Sequence, residues 1–265
     1  MPSMERTLLG ATAAAGAAYA AYVLYQRSKP ARLTLGYWDI RGLAAPARMM
    51  CHYAGAACDF QDVTYALKET GSGYDNSAWA TPKAELKKQN ALMNLPYVVD
   101  RDSGLFVTQS TAVYQFIGRR LKLMGRNAAE LAACEQVLAQ ALDLRNALMR
   151  MVYPFSGVKG EAEFKDALPG FIASTTKEHF EKLEAFLGEG AYFAGGAPTA
   201  ADFHVFEMID QHEAMAMRSK LPSTLTGFPK LLGFYQRVLA LPQLQGYFAS
   251  PAYQMPCNNK MANFK

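Results

Sequence analysis

The hydrophobic period of this chain changes once, near residue 125, and that change restricts it to a mixed strand-and-helix half followed by a helical half. In the first half, Leu33–Trp38 alternates as a half-buried strand, and Leu43–Ala54 reads as a helix with Pro46 in its first turn and Gly55 as its stop. Phe60–Tyr65 is a second strand, followed by a loop through Gly71 and Gly73 to Trp79. Tyr97–Asp100 and Leu105–Thr108 form a short hairpin across residues 101–104, and a helix follows from about Ser110 to Leu123. The order is β-α-β, then β-β-α. After Asn127, residues Leu131, Leu138, Leu142, Arg145, Met149 and Val152 recur at helical spacing as one long helix. Further helices fall at about 169–187, 199–217 and 228–240, punctuated by prolines and glycines such as Pro169, Gly188 and Pro222. Thr199 and Asp202 have the spacing of a capping box, and no internal repeat is visible.

A third section precedes both halves. From Thr7 to Gln26 the 265-residue chain carries no charge for 20 residues, enough at about 1.5 Å per residue to cross a ~30 Å hydrocarbon core. Tyr19, Tyr22 and Tyr25, followed by Arg27, Lys29 and Arg32, have the pattern of an aromatic belt and a positive-inside flank. Gly10, Thr12, Ala14, Gly16 and Ala20 offer small-residue faces on which membrane helices pack. A retained single-pass anchor, a cleaved targeting peptide and a soluble alanine-rich helix all fit. Glu5 and the single Arg6 in the n-region weigh against cleavage, and low leucine content makes insertion marginal. The anchor is the working expectation: a single hydrophobic helix at the membrane, with the remainder in a reducing compartment, cytosol or mitochondrial matrix.

Composition removes several function classes. The chain is 51% hydrophobic and 19% charged, which excludes disorder. Cys51, Cys58, Cys134 and Cys257 show no CxxC and no disulfide framework spacing. Residues 1–32 supply +3 of the +4 net charge, so the remainder lacks the basic footprint of a nucleic-acid binder. No metal is expected: His212-Glu213 opens like a zincin motif, but Ala216 and Met217 stand where a second histidine is needed. There is no Gly-x-Ser-x-Gly, P-loop or Gly-x-Gly-x-x-Gly after a strand.

Three segments carry candidate chemistry. In Gly36-Tyr37-Trp38-Asp39-Ile40-Arg41-Gly42-Leu43, a tyrosine ending a first strand can aim its hydroxyl into a cleft at the strand's carboxyl end, although core packing explains a Tyr-Trp pair equally well. In Asn94-Leu95-Pro96-Tyr97-Val98, a cis proline at a strand start could leave the Leu95 backbone groups open to a peptide-like ligand; an ordinary trans turn proline is the plainer reading. Thr108-Gln109-Ser110-Thr111 precedes a helix, where an N-cap or a carboxylate site fits.

Together these residues resemble a glutathione transferase over about 33–265, most closely the mu class. Supporting signs are Tyr74-Asp75-Asn76-Ser77-Ala78-Trp79, Phe193-Ala194-Gly195 and Asn259-Lys260-Met261-Ala262. The resemblance implies a thioredoxin-like α/β glutathione-binding domain at 33–124 and an all-α domain with the electrophile surface at 125–265, preceded by the hydrophobic segment at 1–32. It implies that Tyr37 is catalytic, donating a hydrogen bond to the glutathione sulfur, and that Leu43 of the same motif belongs to the glutathione site. Trp38, Trp79 and Lys83 would hold the glycine end; Asn94, Leu95 and cis Pro96 the cysteinyl backbone; Gln109 and Ser110 the γ-glutamyl carboxylate. Asp143 would reach the glutathione of a homodimer partner, and Tyr153 would face a small hydrophobic electrophile. The co-substrate is then glutathione, without a metal. Asn76 replaces a basic residue usual in the mu loop, Leu92 replaces the aromatic key of the dimer, and the N-terminal segment is foreign to the class. Those departures keep open a mainly structural subunit of a larger membrane complex, and a glutathione-dependent isomerase, beside the conjugating enzyme.

Overall fold

A computed structural model describes residues 29–265. The uncharged stretch 7–26, expected as a membrane helix, lies outside the described residues. Among those described, no helix is long and apolar enough to cross a membrane.

The first half is built on a four-stranded sheet in the order β2-β1-β5-β6. Central β1 (Ala31–Trp38) pairs in parallel with β2 (Cys58–Tyr65) and antiparallel with β5 (Tyr97–Asp100), which pairs antiparallel with β6 (Phe106–Thr108). Being central, β1 buries Leu33 and Leu35 completely. The parallel β1–β2 pair needs a crossover, which α1 (Ala45–Ala54) supplies, with Pro46 in its first turn as expected. Registers Gly36↔Tyr97 and Tyr97↔Thr108 bring the end of β1, the start of β5 and the end of β6 to one edge of the sheet.

Between β2 and β5 the expected loop is replaced by structure. β3 (Lys68–Thr70) and β4 (Gly73–Asp75) form a separate hairpin, and α2 spans Ser77–Leu86. The hairpin strands are three residues long, too short for alternation to register, and Pro82 inside α2 disguises its helical pattern. After β6, α3 (Ser110–Arg120) stops three residues before the expected Leu123, and Lys122 turns out at φ 60°.

The second half begins with α4 (Ala128–Val152), where the Asn127 side chain accepts from the Glu130 amide at 3.0 Å as an N-cap. Next, α5 (Glu161–Phe171) starts eight residues before the expected boundary and keeps Pro169 within it. A π-type stretch at Ile172–Thr176 then carries the chain into α6 (Lys177–Leu187), so the proline does not end the helical path. At the start of α7 (Ala200–Arg218), the Asp202 carboxylate accepts from the Thr199 amide at 2.7 Å and the Phe193 amide at 2.8 Å. α8 (Pro229–Leu239) and three short turns complete the chain.

α7 is the axis of the molecule. It is buried at every position from Ala200 to His212, and α1 and α4 pack on it from either side. One continuous core therefore joins Leu33, Met49 and Ile117 of the first half to Phe203, Phe206 and Phe234 of the second. Charges are buried too, one cation across this seam and one inside the first half. Arg41 donates to Glu207 at 3.2 and 2.7 Å and to Asp210 at 2.5 Å, while Arg48 donates to Asp62 at 2.8 Å and the Ile40 carbonyl at 2.7 Å. None of the four cysteines is disulfide-bonded.

Candidate active site

The end of β1 is shaped by two glycines. A Cβ on Gly36 would sit 2.2 Å from the Tyr97 ring, so only glycine lets that ring cross β1. Gly42, at φ 40°, would place a Cβ 2.9 Å from the Tyr37 hydroxyl; its absence lets the backbone close over the ring. The C-terminal tail fixes this turn from outside, the Arg41 and Gly42 amides donating to the carbonyls of Pro256 and Cys257 at 2.9 and 3.1 Å.

A 410 Å³ cavity opens beside that turn, of a size that suits a small organic ligand. Tyr37 and Trp38 form one wall; Arg145 and Met149 of α4 with Tyr153, which caps its C-terminus, form another; Asn258, Asn259 and Met261 of the tail close it. Tyr153 is buried, and its hydroxyl oxygen accepts from the Asn259 amide at 3.0 Å, which leaves its own proton to donate. Burial pushes the Tyr153 hydroxyl up to about 12, so it stays protonated at neutral pH.

A second group of the expected residues lies along the same sheet edge. Leu95–Pro96 is a cis peptide, as expected. Thr108 pins the segment before β5: its hydroxyl donates to the Asn94 carbonyl at 2.7 Å and accepts from the Asn94 amide at 3.2 Å. Lys83 reaches the Asn94 side-chain oxygen at 3.5 Å and lies 5.9 Å from the centre of the Trp79 ring. Trp79 in turn stacks on Tyr97, with ring centres 6.1 Å apart. Gln109 follows β6 at φ 74°, a conformation that costs a non-glycine residue about 1–3 kcal/mol, and Ser110 opens α3. Strain of this kind clusters where backbone or side chain is positioned for a ligand.

Two expected residues stand apart from the cavity. The Leu43 carbonyl accepts from the buried Tyr114 hydroxyl at 2.7 Å, which anchors the turn after β1. Asp143 is exposed on α4, two residues from Arg145 and so on another side of the helix, where its charge acts on His179. Conversely, Arg145, Met149, Asn258 and Asn259 line the cavity without having been expected there. For Arg145 a signal existed, because it occupies the apolar register of α4 one turn before Met149 and two before Tyr153. For the tail the signal was the resemblance carried by Asn259-Lys260-Met261-Ala262, which implies a C-terminal contribution to the electrophile pocket; the place of Asn258 and Asn259 themselves depends on long-range pairing with Arg41 and Gly42. Among the described residues, no group of three His, Cys, Asp or Glu side chains could hold a metal ion.

Comparison with known proteins agrees with this arrangement. The family "Glutathione S-transferase, C-terminal domain" matches residues 142–251. The chain is 31% identical to human Glutathione S-transferase Mu 3 over 237 residues, covering 88% of this chain and 95% of that protein. It is 33% identical to a glutathione S-transferase of Tyrophagus putrescentiae, covering 83% and 89%. The crystal structure of the glutathione S-transferase Blo t 8 superposes with a TM-score of 0.73 at 25% identity, over 87% of this chain and 99% of that one. The chain belongs to the glutathione S-transferase family: a glutathione transferase with a mixed α/β N-terminal and a helical C-terminal domain and glutathione as its co-substrate.

Proposed function

We propose that the protein adds the glutathione thiolate to hydrophobic electrophiles as a mu-class enzyme, with Tyr37 stabilising the thiolate. One observation carries this reading: Tyr37, at the end of β1, lines the same ligand-sized cavity as a second tyrosine, Tyr153. A free thiol titrates near ~8.5 and is mostly protonated at neutral pH. A hydrogen bond from the Tyr37 hydroxyl to the sulfur favours the anion, each unit of lowering corresponding to ~1.4 kcal/mol. The sulfur then forms its bond to the electrophilic carbon in the cavity, and Tyr153 donates to whatever oxygen gains charge there.

The remaining roles follow the strip along the sheet edge. Trp38, Trp79 and Lys83 take the glycine end of glutathione; Asn94 and the Leu95–Pro96 backbone take the cysteinyl part. Gln109 and Ser110 hold the γ-glutamyl carboxylate at the N-terminus of α3, where free amides and the helix dipole favour an anion. Leu43 supports the turn through its carbonyl. Asp143 is exposed, as reaching the glutathione of a homodimer partner requires. We assign 33–124 to glutathione binding, 125–265 to the electrophile surface, and 1–32 to an anchor that ties the body to a membrane from the cytosol or mitochondrial matrix.

A second reading, a mainly structural subunit of a membrane complex, draws on Leu92, which is 68% exposed where the mu class carries its aromatic dimer key. Replacing Tyr37 by Phe separates the two. Glutathione affinity by calorimetry should survive while kcat/KM toward a generic aryl halide at neutral pH falls about tenfold or more. Full turnover by that variant would remove Tyr37 from the mechanism, and a native protein with no glutathione affinity would decide for the structural role.

A further inference from the structure

The cavity contains polar groups that conjugation to a purely hydrophobic electrophile does not use. Arg145 is half-buried on its wall and, among the described residues, makes no hydrogen bond and no ion pair. Asn258, on the tail side, is 2% exposed, and its Nδ2 has no hydrogen-bond partner. Buried donors are normally paired, and a guanidinium taken partly out of water is normally matched by a carboxylate. The neighbouring donors add to the imbalance: Tyr153 has a proton to give, because its oxygen is occupied by the Asn259 amide. Among the described residues, every other large buried cation is matched, Arg41 by Glu207 and Asp210 and Arg48 by Asp62.

We propose that Arg145 and Asn258 form a carboxylate-binding subsite within this cavity, and that the electrophiles the enzyme favours carry an anionic carboxylate-type group. The inference rests on the conjugation reading above and narrows its substrate class. A planar carboxylate suits the fork of a guanidinium, which can donate two parallel hydrogen bonds to it, and the Asn258 amide supplies a further donor. Arg145 precedes Tyr153 by two turns of α4, about 12 Å along the axis. The long, flexible Arg145 side chain enters the same cavity as Tyr37 and Tyr153, so one small ligand can meet the guanidinium with its charged group while its reacting carbon faces the tyrosines. In 4-chloro-3-nitrobenzoate these groups stand para to each other. The thiolate sulfur bonds to the ring carbon bearing chlorine, the C–Cl bond breaks, and chloride leaves with the bonding pair.

The test compares 4-chloro-3-nitrobenzoate with its methyl ester in the native protein, Arg145→Gln and Asn258→Leu. Turnover is measured for both compounds, and calorimetry gives the affinity of the two corresponding S-aryl glutathione conjugates. In Arg145→Gln, kcat/KM for the benzoate should fall about tenfold further than for the ester, mostly through KM, and the carboxylated conjugate should weaken by a similar ratio. Asn258→Leu should move both ratios in the same direction by less. Equal losses on acid and ester, with the pH profile of kcat/KM displaced upward, would mean that Arg145 serves the thiolate and would overturn the subsite. A native protein that turns over neither compound yet binds the carboxylated conjugate through Arg145 would retain the subsite and overturn the conjugation reading. Absence of any Arg145-dependent preference in both assays overturns the subsite outright.

Discussion

Arg41 and Arg145 occupy neighbouring parts of the seam around α7 and live in opposite surroundings. Arg41 is 5% exposed, lies 4.6 Å from the centre of the Tyr253 ring and is held by two carboxylates of α7. One of those carboxylates, Asp210, also accepts from the Tyr235 hydroxyl at 2.5 Å and the Tyr253 hydroxyl at 3.2 Å. Arg145 faces a cavity and has no such partner. A closed network whose charges and hydrogen bonds are met inside the fold fixes how the two halves sit together. An open set of donors has its partner outside the fold, which is how a binding wall differs from a structural seam of similar composition.

The largest expected effect comes from breaking the closed side. Arg41→Leu leaves Glu207 and Asp210 buried beside each other with no cation, a change of the kind that costs about 3–5 kcal/mol. Urea unfolding monitored by tryptophan fluorescence should show the midpoint drop accordingly, Trp38 and Trp79 both lying in the first half. A loss below ~1 kcal/mol would mean that the carboxylates find other partners and that the network is not closed.

How much of this was legible in the sequence follows the range of the interactions. The strands, α1, α4 and the Thr199–Asp202 cap depend on periodicity and local capping, and they fall where the sequence puts them. The β3–β4 hairpin and α2 were missed because three-residue strands and an internal proline carry little local signal. In the site, Tyr37, Trp38 and Tyr153 could be chosen by resemblance, and they line one cavity. The tail that closes it pairs with residues more than 200 positions earlier, which no local pattern encodes. The charged residue in the apolar stripe of α4 was visible, but only its place on the cavity wall, with no ion pair among the described residues, gives it meaning.

His204 links the two sides and gives the next effect in size. Its ring lies against Tyr114, with centres 5.1 Å apart, and neither ring nitrogen has a hydrogen-bond partner. Burial, with a smaller contribution from the charge of Arg145, pushes it from 6.5 down to about 3. A histidine whose folded value is depressed stabilises the protein above its unfolded value of 6.5, and that stability is lost as pH falls toward about 3. His204→Phe keeps the ring and removes the titration, so its acid limb should be shallower. Relative to the native protein it should gain about 2 kcal/mol between pH 6.5 and 4.5, read from urea midpoints at each pH. Parallel limbs would show that His204 is already protonated, or solvated, in the fold.

The smallest expected effect is the one that most sharpens the contrast. If Arg145 faces a ligand and not the fold, removing its charge costs the folded protein almost nothing. Arg145→Gln should leave the urea midpoint at neutral pH within about 0.5 kcal/mol of native, the range of substitutions that break no internal partner. Because its charge also opposes protonation of His204, the same variant should raise the folded value of His204 slightly toward 6.5, so less stability is lost on acidification and the acid limb ends at a higher pH than in the native protein. A loss above ~1.5 kcal/mol at neutral pH would place Arg145 in the same structural class as Arg41 and dissolve the distinction between the two walls.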